Sequence, residues 1–495
     1  MLLQKFHSLA LSMSPRCLAP IFFAIIFANI VIYLLWTSPA SRVPVRRRSN
    51  LDDGEYHADS HRKIKGVYIR SLDMAQSYQQ SIPHWKGVWI PNRSIQVMSV
   101  IEDIYQRPEI KIVLLSFLKH SSNRKFYCCM HWSDDLREFV QVPARLDYID
   151  LRYMAELQGA AFECSVRPSE MNGSHRVKYV SFASESCMDN RTPPMTVMTP
   201  ERRTFEFAIC TKVVYDYLDP RRLLEWFTFM EVMGASKILT FHNNVHNDTM
   251  TVLNYFAKTG LLELIEFDPR NRGGVSVKYT ARNGQTHQAH HDKTLAARDC
   301  QYRLSGYDYV MTIDFDEFPV PRRPFGTISF LLEELARNFS DAAAFRMEPI
   351  LLPPDWLSRK EPVLYHWQFT RGVHIRPYGN KWVYAPPFTW MASTHNVVPK
   401  DGYKTYVVPQ EHLHFLHFRS CKLEWHSVNC SSLYQRLAQD EDSLLRFADR
   451  VLSKLQRHPL EKLIPLSTSF DYTSKVRKDP RGRGKLFEKT LLFDT

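Results

Sequence analysis

The sequence has no Cys-x-x-Cys pair, no His-Glu-x-x-His, no RNP signature and no zinc-finger spacing. The first absence argues against a zinc ribbon or a thioredoxin-like centre, and the second leaves a zinc-dependent hydrolase without its local ligand motif. The missing nucleic-acid signatures matter because the chain is basic, with 64 Lys and Arg against 52 Asp and Glu and a net charge of +12. These charges are spread along the chain, so they suit a nucleotide-sugar diphosphate or an anionic lumenal surface, and no nucleic-acid partner is expected.

What is present begins with size. The 495 residues, 44% hydrophobic and 23% charged, are those of a globular protein of two to three domains. Of nine cysteines, eight follow the N-terminal apolar segment, and their pairing is open among 105 connectivities. Sequons at Asn92, Asn172, Asn190, Asn247, Asn338 and Asn429 join the cysteines in favouring an oxidising, glycosylating compartment.

Residues 17–36 carry no charge and are long enough to cross a bilayer of about 30 Å as a helix. They are expected to be an uncleaved signal anchor after a short tail over 1–16, although Arg42, Arg46, Arg47 and Arg48 on their far side oppose that orientation. Residues 37–65, with Pro39, Pro44 and an arginine run, form a stem. Over 66–200, apolar pieces such as Lys111–Phe117 and Val177–Phe182 alternate with turn residues, which predicts a β-rich accessory region. Its Trp85, Trp89 and Trp132 are read as core aromatics before sugar-stacking platforms.

From about residue 204 the rhythm changes to strand and helix in turn. Strands are expected at 204–210, 237–241 and 261–267, with helices from Pro220 to Gly234, from Asp248 to Lys258 and over 288–304. Such alternation implies an α/β domain, placed at 201–435, with a mostly parallel sheet and helices on its faces; 436–495 is a C-terminal helical segment and tail. The next apolar run, Asp308-Tyr309-Val310-Met311-Thr312-Ile313, ends in Asp314-Phe315-Asp316-Glu317. Ligands of open α/β sheets sit at the carboxyl ends of strands, and two aspartates two apart in extended chain face the same way and can share a hard cation.

The ordered pieces Phe207–Lys212, Leu224-Glu225-Trp226-Phe227, Arg298-Asp299-Cys300, Asp314–Pro321, Lys381–Tyr384, His395 and His412–Arg419 resemble glycosyltransferase family 92 over about 205–420. The resemblance implies type II Golgi membrane enzymes with lumenal catalytic domains and an A-type, Rossmann-like glycosyltransferase fold. It implies transfer of galactose from UDP-galactose to a glycan acceptor with inversion. The family's usual His-Tyr-Arg stands here as His417-Phe418-Arg419. By this resemblance Asp316 and His417 hold Mn²⁺ or Mg²⁺, Asp314 holds ribose or the metal, Lys381 and Arg419 meet the diphosphate, and His395 contacts donor or acceptor. Inversion needs a general base, for which Glu317, Asp355 and Glu348 are the candidates, with Trp356 as a platform for an acceptor sugar. Two other readings remain at this point. His412, His414, His417, His290 and His291 are enough for a zinc-dependent hydrolase site, and the aromatics of the β-rich region suit a non-catalytic glycan-binding membrane protein.

Overall fold

Strands apolar on both faces build the first layer. The strands β1 (Ile95–Asp103), β2 (Ile110–Lys119), β3 (Phe126–His131), β4 (Val140–Ile149), β5 (Leu157–Val166) and β6 (Tyr179–Ala183) pair antiparallel in the order β1-β2-β5-β4-β3-β6. One face carries Ile112, Leu114, Phe162 and Cys164 into a core of its own. There the Phe126 ring stacks on Phe182 at 5.4 Å and meets Phe162 edge-on at 5.5 Å. The residues between them, Val113, Leu115, Phe117 and Ala161, point the other way into a second core. Disulfides Cys128–Cys164 and Cys129–Cys187 tie β3 to β5 and to the segment after β6. Trp89 and Trp132 are partly buried against these cores, as packing residues are.

This computed structural model describes residues 84–462, apart from 86–87, 91–94, 107, 120–124, 151–156, 189–190, 268–286, 355, 357–363, 375–378 and 420–436. The chain divides into Met1–Gln76, which lies outside the described residues, and Ser77–Thr495, which holds all of them. The expected anchor at 17–36, the stem, Asp355, Cys421 and Cys430 also lie outside them. Among the described residues no helix is long and apolar enough to cross a membrane.

The second layer starts with β7 (Arg203–Asp216), α1 (Pro220–Val232), β8 (Ala235–Val245), α2 (Asn247–Lys258), β9 (Leu262–Phe267), α3 (His287–Arg303) and β10 (Tyr307–Thr312). Local chemistry sets the ends of α1. The Asp219 carboxylate accepts from the backbone N–H groups of Arg221 and Arg222, Pro220 opens the first turn, and Gly234 follows at φ 92°. The four strands run parallel in the order β9-β8-β7-β10, as alternation with helices requires. Phe207, Ile209, Ile238 and Met311 face α1 and α2, while Ala208, Cys210, Leu239 and Val310 face α3.

Beyond β10 come β11 (Glu317–Pro321), α4 (Ile328–Asn338), β12 (Ala342–Met347), β13 (Pro349–Leu351), β14 (Arg371–His374), β15 (Lys381–Tyr384), β16 (Lys404–Val407), β17 (Leu413–His417) and α5 (Ala448–Leu455). Here the expected mostly parallel sheet becomes mixed, because β15 runs antiparallel to both β10 and β12. Among the described residues, no long helix intervenes between β12 and β15 to return the chain in the same direction. A separate sheet holds β11, β17, β13 and β14.

Helix α3 lies between the two layers, and its polar sequence has a structural reason. Asp292, Arg298 and Asp299 are fully buried. Arg298 donates to Gln301 Oε1 at 2.7 Å and to the Trp390 carbonyl at 3.0 Å, while Asp299 accepts from Ser99 of β1 and from Arg303. Cys300 is bonded to Cys210 of β7. Arg298-Asp299-Cys300 is thus a latch joining the layers, since buried polar groups persist only when paired.

Three carboxylates make the fold acid-sensitive. Burial alone would raise them, but Arg145 and Lys111 at Glu163, His458 and Lys454 at Glu231, and His414 and Ser443 at Glu441 hold each below the ordinary glutamate range. A depressed carboxylate stabilises the fold above its unfolded pKa, and that contribution is lost as pH falls through the folded value. The melting temperature is expected to hold near neutrality and to fall below about pH 4.5; a flat profile down to about pH 3 would show that these pairs contribute nothing.

Candidate active site

The apolar run of β10 stops at Thr312, and Asp314 to Glu317 make a tight turn into a different sheet. The Glu317 N–H donates to the Asp314 carbonyl at 3.1 Å, and Glu317 Oε2 accepts from the Asp314 N–H at 2.6 Å. Asp314 and Asp316 therefore do not share a strand face, and the expectation that they point together is corrected. Asp314 turns toward two lysines, with Lys212 Nζ at 2.8 Å and Lys381 Nζ at 2.5 Å. Asp316 turns the other way, its Oδ2 lying 3.4 Å from His417 Nε2.

Strand pairing brings His417 there. In the antiparallel pair β11/β17, Glu317 stands opposite His417, and directly opposed residues share a face. His417 Nδ1 lies 3.8 Å from Glu317 Oε1, and Lys381 Nζ lies 3.0 Å from Glu317 Oε2. Lys212 arrives through a bulge: Cys210 pairs with Leu239 and Val213 with Phe241, so Thr211 and Lys212 together oppose Thr240. Lys212 takes φ 59°, which redirects its side chain into the site.

The charges of this cluster constrain one another. Burial would raise the Asp314 carboxyl, but Lys212 and Lys381 drive it well below the usual range. Burial would lower the Lys381 ammonium, and Asp314 and Glu317 reverse that and raise it. Lys212 is brought down to about 8, chiefly by burial. The Glu317 carboxyl is pushed up, again chiefly by burial, while the Asp316 carboxyl is held down against burial by His417.

One ligand atom from each of Asp316, Glu317 and His417 lies within 4.8 Å of the others, the one such group of possible metal ligands among the described residues. Asp316 Oδ1 and Glu317 Oε1 are buried with no hydrogen-bond partner. Two orphaned carboxylate oxygens beside an imidazole suit a hard or borderline divalent cation. The set differs from the sequence expectation by taking Glu317 in place of Asp314.

Residues 205–462 match the family model described as glycosyltransferase family 92. The chain belongs to this family. It is a glycosyltransferase. No curated protein sequence matches it. Among solved structures, the chain is similar to S. aureus TarS at 8% identity, covering 43% of this chain and 60% of that one, with a TM-score of 0.22. It is also similar to glucosyl-3-phosphoglycerate synthase from Mycobacterium tuberculosis in complex with Mn²⁺, UDP and glucosyl-3-phosphoglycerate, at 12% identity over 50% of this chain and 78% of that one, TM-score 0.22. Likenesses this low decide neither fold nor chemistry, and the family assignment rests on the sequence match.

In this family 92 chain the motif Glu225-Trp226-Phe227 on α1 supports the acidic turn. Trp226 Nε1 donates to the Glu317 carbonyl at 2.9 Å, and Phe227 stacks on Phe256 at 4.3 Å with Phe315 beside it at 5.7 Å. The buried Glu225 accepts from the Tyr365 N–H at 2.8 Å and lies 3.1 Å from His366 Nδ1. The His366 ring in turn packs on Phe318 and Phe418, the residues following Glu317 and His417.

The other expected site residues divide. Arg419 stands near enough to Asp316 to help lower its carboxyl. His395 is exposed, with Nδ1 2.9 Å from the carbonyl of Asn380, next to Lys381. Lys381, expected to meet a diphosphate, is instead 1% exposed and engaged by two carboxylates. Glu317, a candidate base, is fully buried. Glu348 pairs with Arg346 at 3.2 Å. Three histidines of the hydrolase reading meet different partners: His414 pairs with Glu441, His291 lies by Asp150 and His412 packs on Phe325, while the His290 side chain lies outside the described residues. Lys212 and Glu225-Trp226-Phe227 stand among the family-like pieces but were given no role in the site; for Lys212 the residue signal is a lysine flanked by Cys210-Thr211 and Val213-Val214.

Proposed function

We propose that this glycosyltransferase moves a hexose, galactose on the family resemblance, from a UDP-sugar to a hydroxyl of a glycan acceptor with inversion, assisted by Mn²⁺ or Mg²⁺. The observation that carries the reading is the convergence of Asp316, Glu317 and His417 with two unpartnered carboxylate oxygens. These three side chains would hold the cation, which when bound neutralises charge developing on the departing diphosphate. Arg419, beside Asp316, supplies a second positive group for the diphosphate oxygens. Asp314, clamped by Lys212 and Lys381, fixes the turn that presents Asp316. With Glu317 buried, the general base that takes the acceptor proton is sought at Glu348 or Asp355. The parallel strands β9-β8-β7-β10 support the A-type fold, and the disulfides and sequons support a type II enzyme of the Golgi membrane, anchored by 17–36, with a lumenal catalytic domain.

Incubating the purified full chain with Mn²⁺ and a panel of UDP-sugars is expected to release UDP fastest from UDP-galactose in the presence of a glycan acceptor. UDP release unaffected by a chelator would overturn the metal assignment, and faster turnover of another UDP-sugar would overturn the donor.

A further inference from the structure

Basic residues distant in sequence gather on one surface at the end of β11 remote from Glu317. Arg322 and Arg323 follow β11, Arg446 sits in the 3₁₀ turn Ser443–Phe447, and Arg450 and Lys454 lie one turn apart on α5. Arg322, Arg323, Arg446 and Arg450 are exposed. Arg446 donates to the Phe325 carbonyl, and Arg450 donates to the Gly326 carbonyl at 3.0 Å. The Arg446 and Arg450 guanidiniums lie 4.5 and 5.7 Å from the same Phe447 ring. Burial, then Arg323, Arg322 and Arg450, lower the Arg446 pKa, so the four cations lie within electrostatic reach. The surface continues into a cleft of about 630 Å³ lined by Tyr255, Arg450, Lys454, Arg457 and His458, with Asp449 as its one carboxylate. Acidic groups on these elements are few: Glu231 is engaged by Lys454 and His458 at 3.3 Å each, and Asp442 and Asp449 are exposed.

Like charges are crowded here against their mutual repulsion, and guanidiniums recognise sulfate and carboxylate groups in a planar, bidentate manner. We propose that this surface binds an acidic glycan chain through its sulfate or carboxylate groups, at a site separate from the acidic turn. A concave cleft with an aromatic wall admits a sugar chain, whereas a flat bilayer would meet only its rim. Three disulfides suit an oxidising compartment, where acidic glycans are the polyanions at hand.

The test measures binding of the full chain to a fluorescent heparin hexasaccharide, its desulfated form, and phosphatidylserine vesicles, at about 0.15 M salt. The sulfated probe is expected to bind, and Arg322→Glu/Arg323→Glu is expected to weaken it by about tenfold or more. Arg446→Gln/Arg450→Gln should weaken it likewise, and Arg137→Glu/Lys178→Glu, on the first layer, should leave it unchanged. Melting temperatures report whether each variant is folded; Arg322 Nη1 lies 3.0 Å from His414 Nε2, so the single variant Arg323→Glu, expected to weaken binding in the same direction, keeps the test open if Arg322, Arg446 or Arg450 proves structural. Equal binding of the desulfated probe, binding of vesicles alone, or wild-type affinity in the Arg322/Arg323 variant would overturn the proposal.

Discussion

Asp316→Asn is expected to remove sugar transfer almost completely while the protein stays folded. Asp316 is the most accessible member of the metal-ligand group, with a side chain 30% exposed against 11% for His417 and none for Glu317. The amide keeps the shape but loses the anionic oxygen, so the cost falls on cation binding rather than on packing. Charge stabilisation of a leaving group by a cation contributes several kcal/mol, about three orders of magnitude in rate. The same substitution at Asp314 should behave differently. Asp314 is committed to Lys212 and Lys381, so Asp314→Asn is expected to lower stability and to leave Mn²⁺ affinity much closer to wild type. Mn²⁺ titration of both variants, alongside UDP release, separates the two roles. Equal loss of Mn²⁺ affinity in both would restore the paired-aspartate arrangement that the sequence suggests and refute the one described here.

Period and punctuation made the parallel half of the sheet legible. The strand at Thr204–Cys210, the helix between Pro220 and Gly234, and the helix ending before Gly260 lie within β7, α1 and α2, because capping residues and 3.6-residue apolar spacing act locally. The mixed half was not legible in this way. Direction in β15 and β16 depends on which distant strand each meets, and short strands such as Lys381–Tyr384 carry no record of it. The site shows the same division. Asp316 and His417 were marked by the family order, but the exchange of Asp314 for Glu317 follows from a turn that ends β10 at Thr312 and starts β11 at Glu317. A two-residue period read through that turn puts Asp314 beside Asp316, where the structure puts Glu317. Lys212 was hidden for a related reason, since a bulge breaks the alternation that would have placed it.

Lys381→Met is expected to cause the largest loss of stability of any substitution in the site. Lys381 is 1% exposed, and its ammonium is shared between Asp314 at 2.5 Å and Glu317 at 3.0 Å. Methionine fills similar volume and adds no polar group, so little of the effect comes from packing. What changes is that Glu317 loses its nearest cation and keeps only His417 at 3.8 Å, while Asp314 is left with Lys212 alone. Breaking a buried ion pair from one side costs about 3–5 kcal/mol, because the remaining charge stays desolvated. Lys212→Met should cost less, since Lys381 still bridges both carboxylates and Lys212 is already held down to about 8 by burial. The double variant Lys381→Met/Glu317→Gln should recover part of the loss, because the carboxylate left uncompensated is then neutral; denaturant unfolding of the single and double variants reads this coupling. Independent, additive losses at Lys381 and Glu317 would mean that the ion pair does not hold the acidic turn in place.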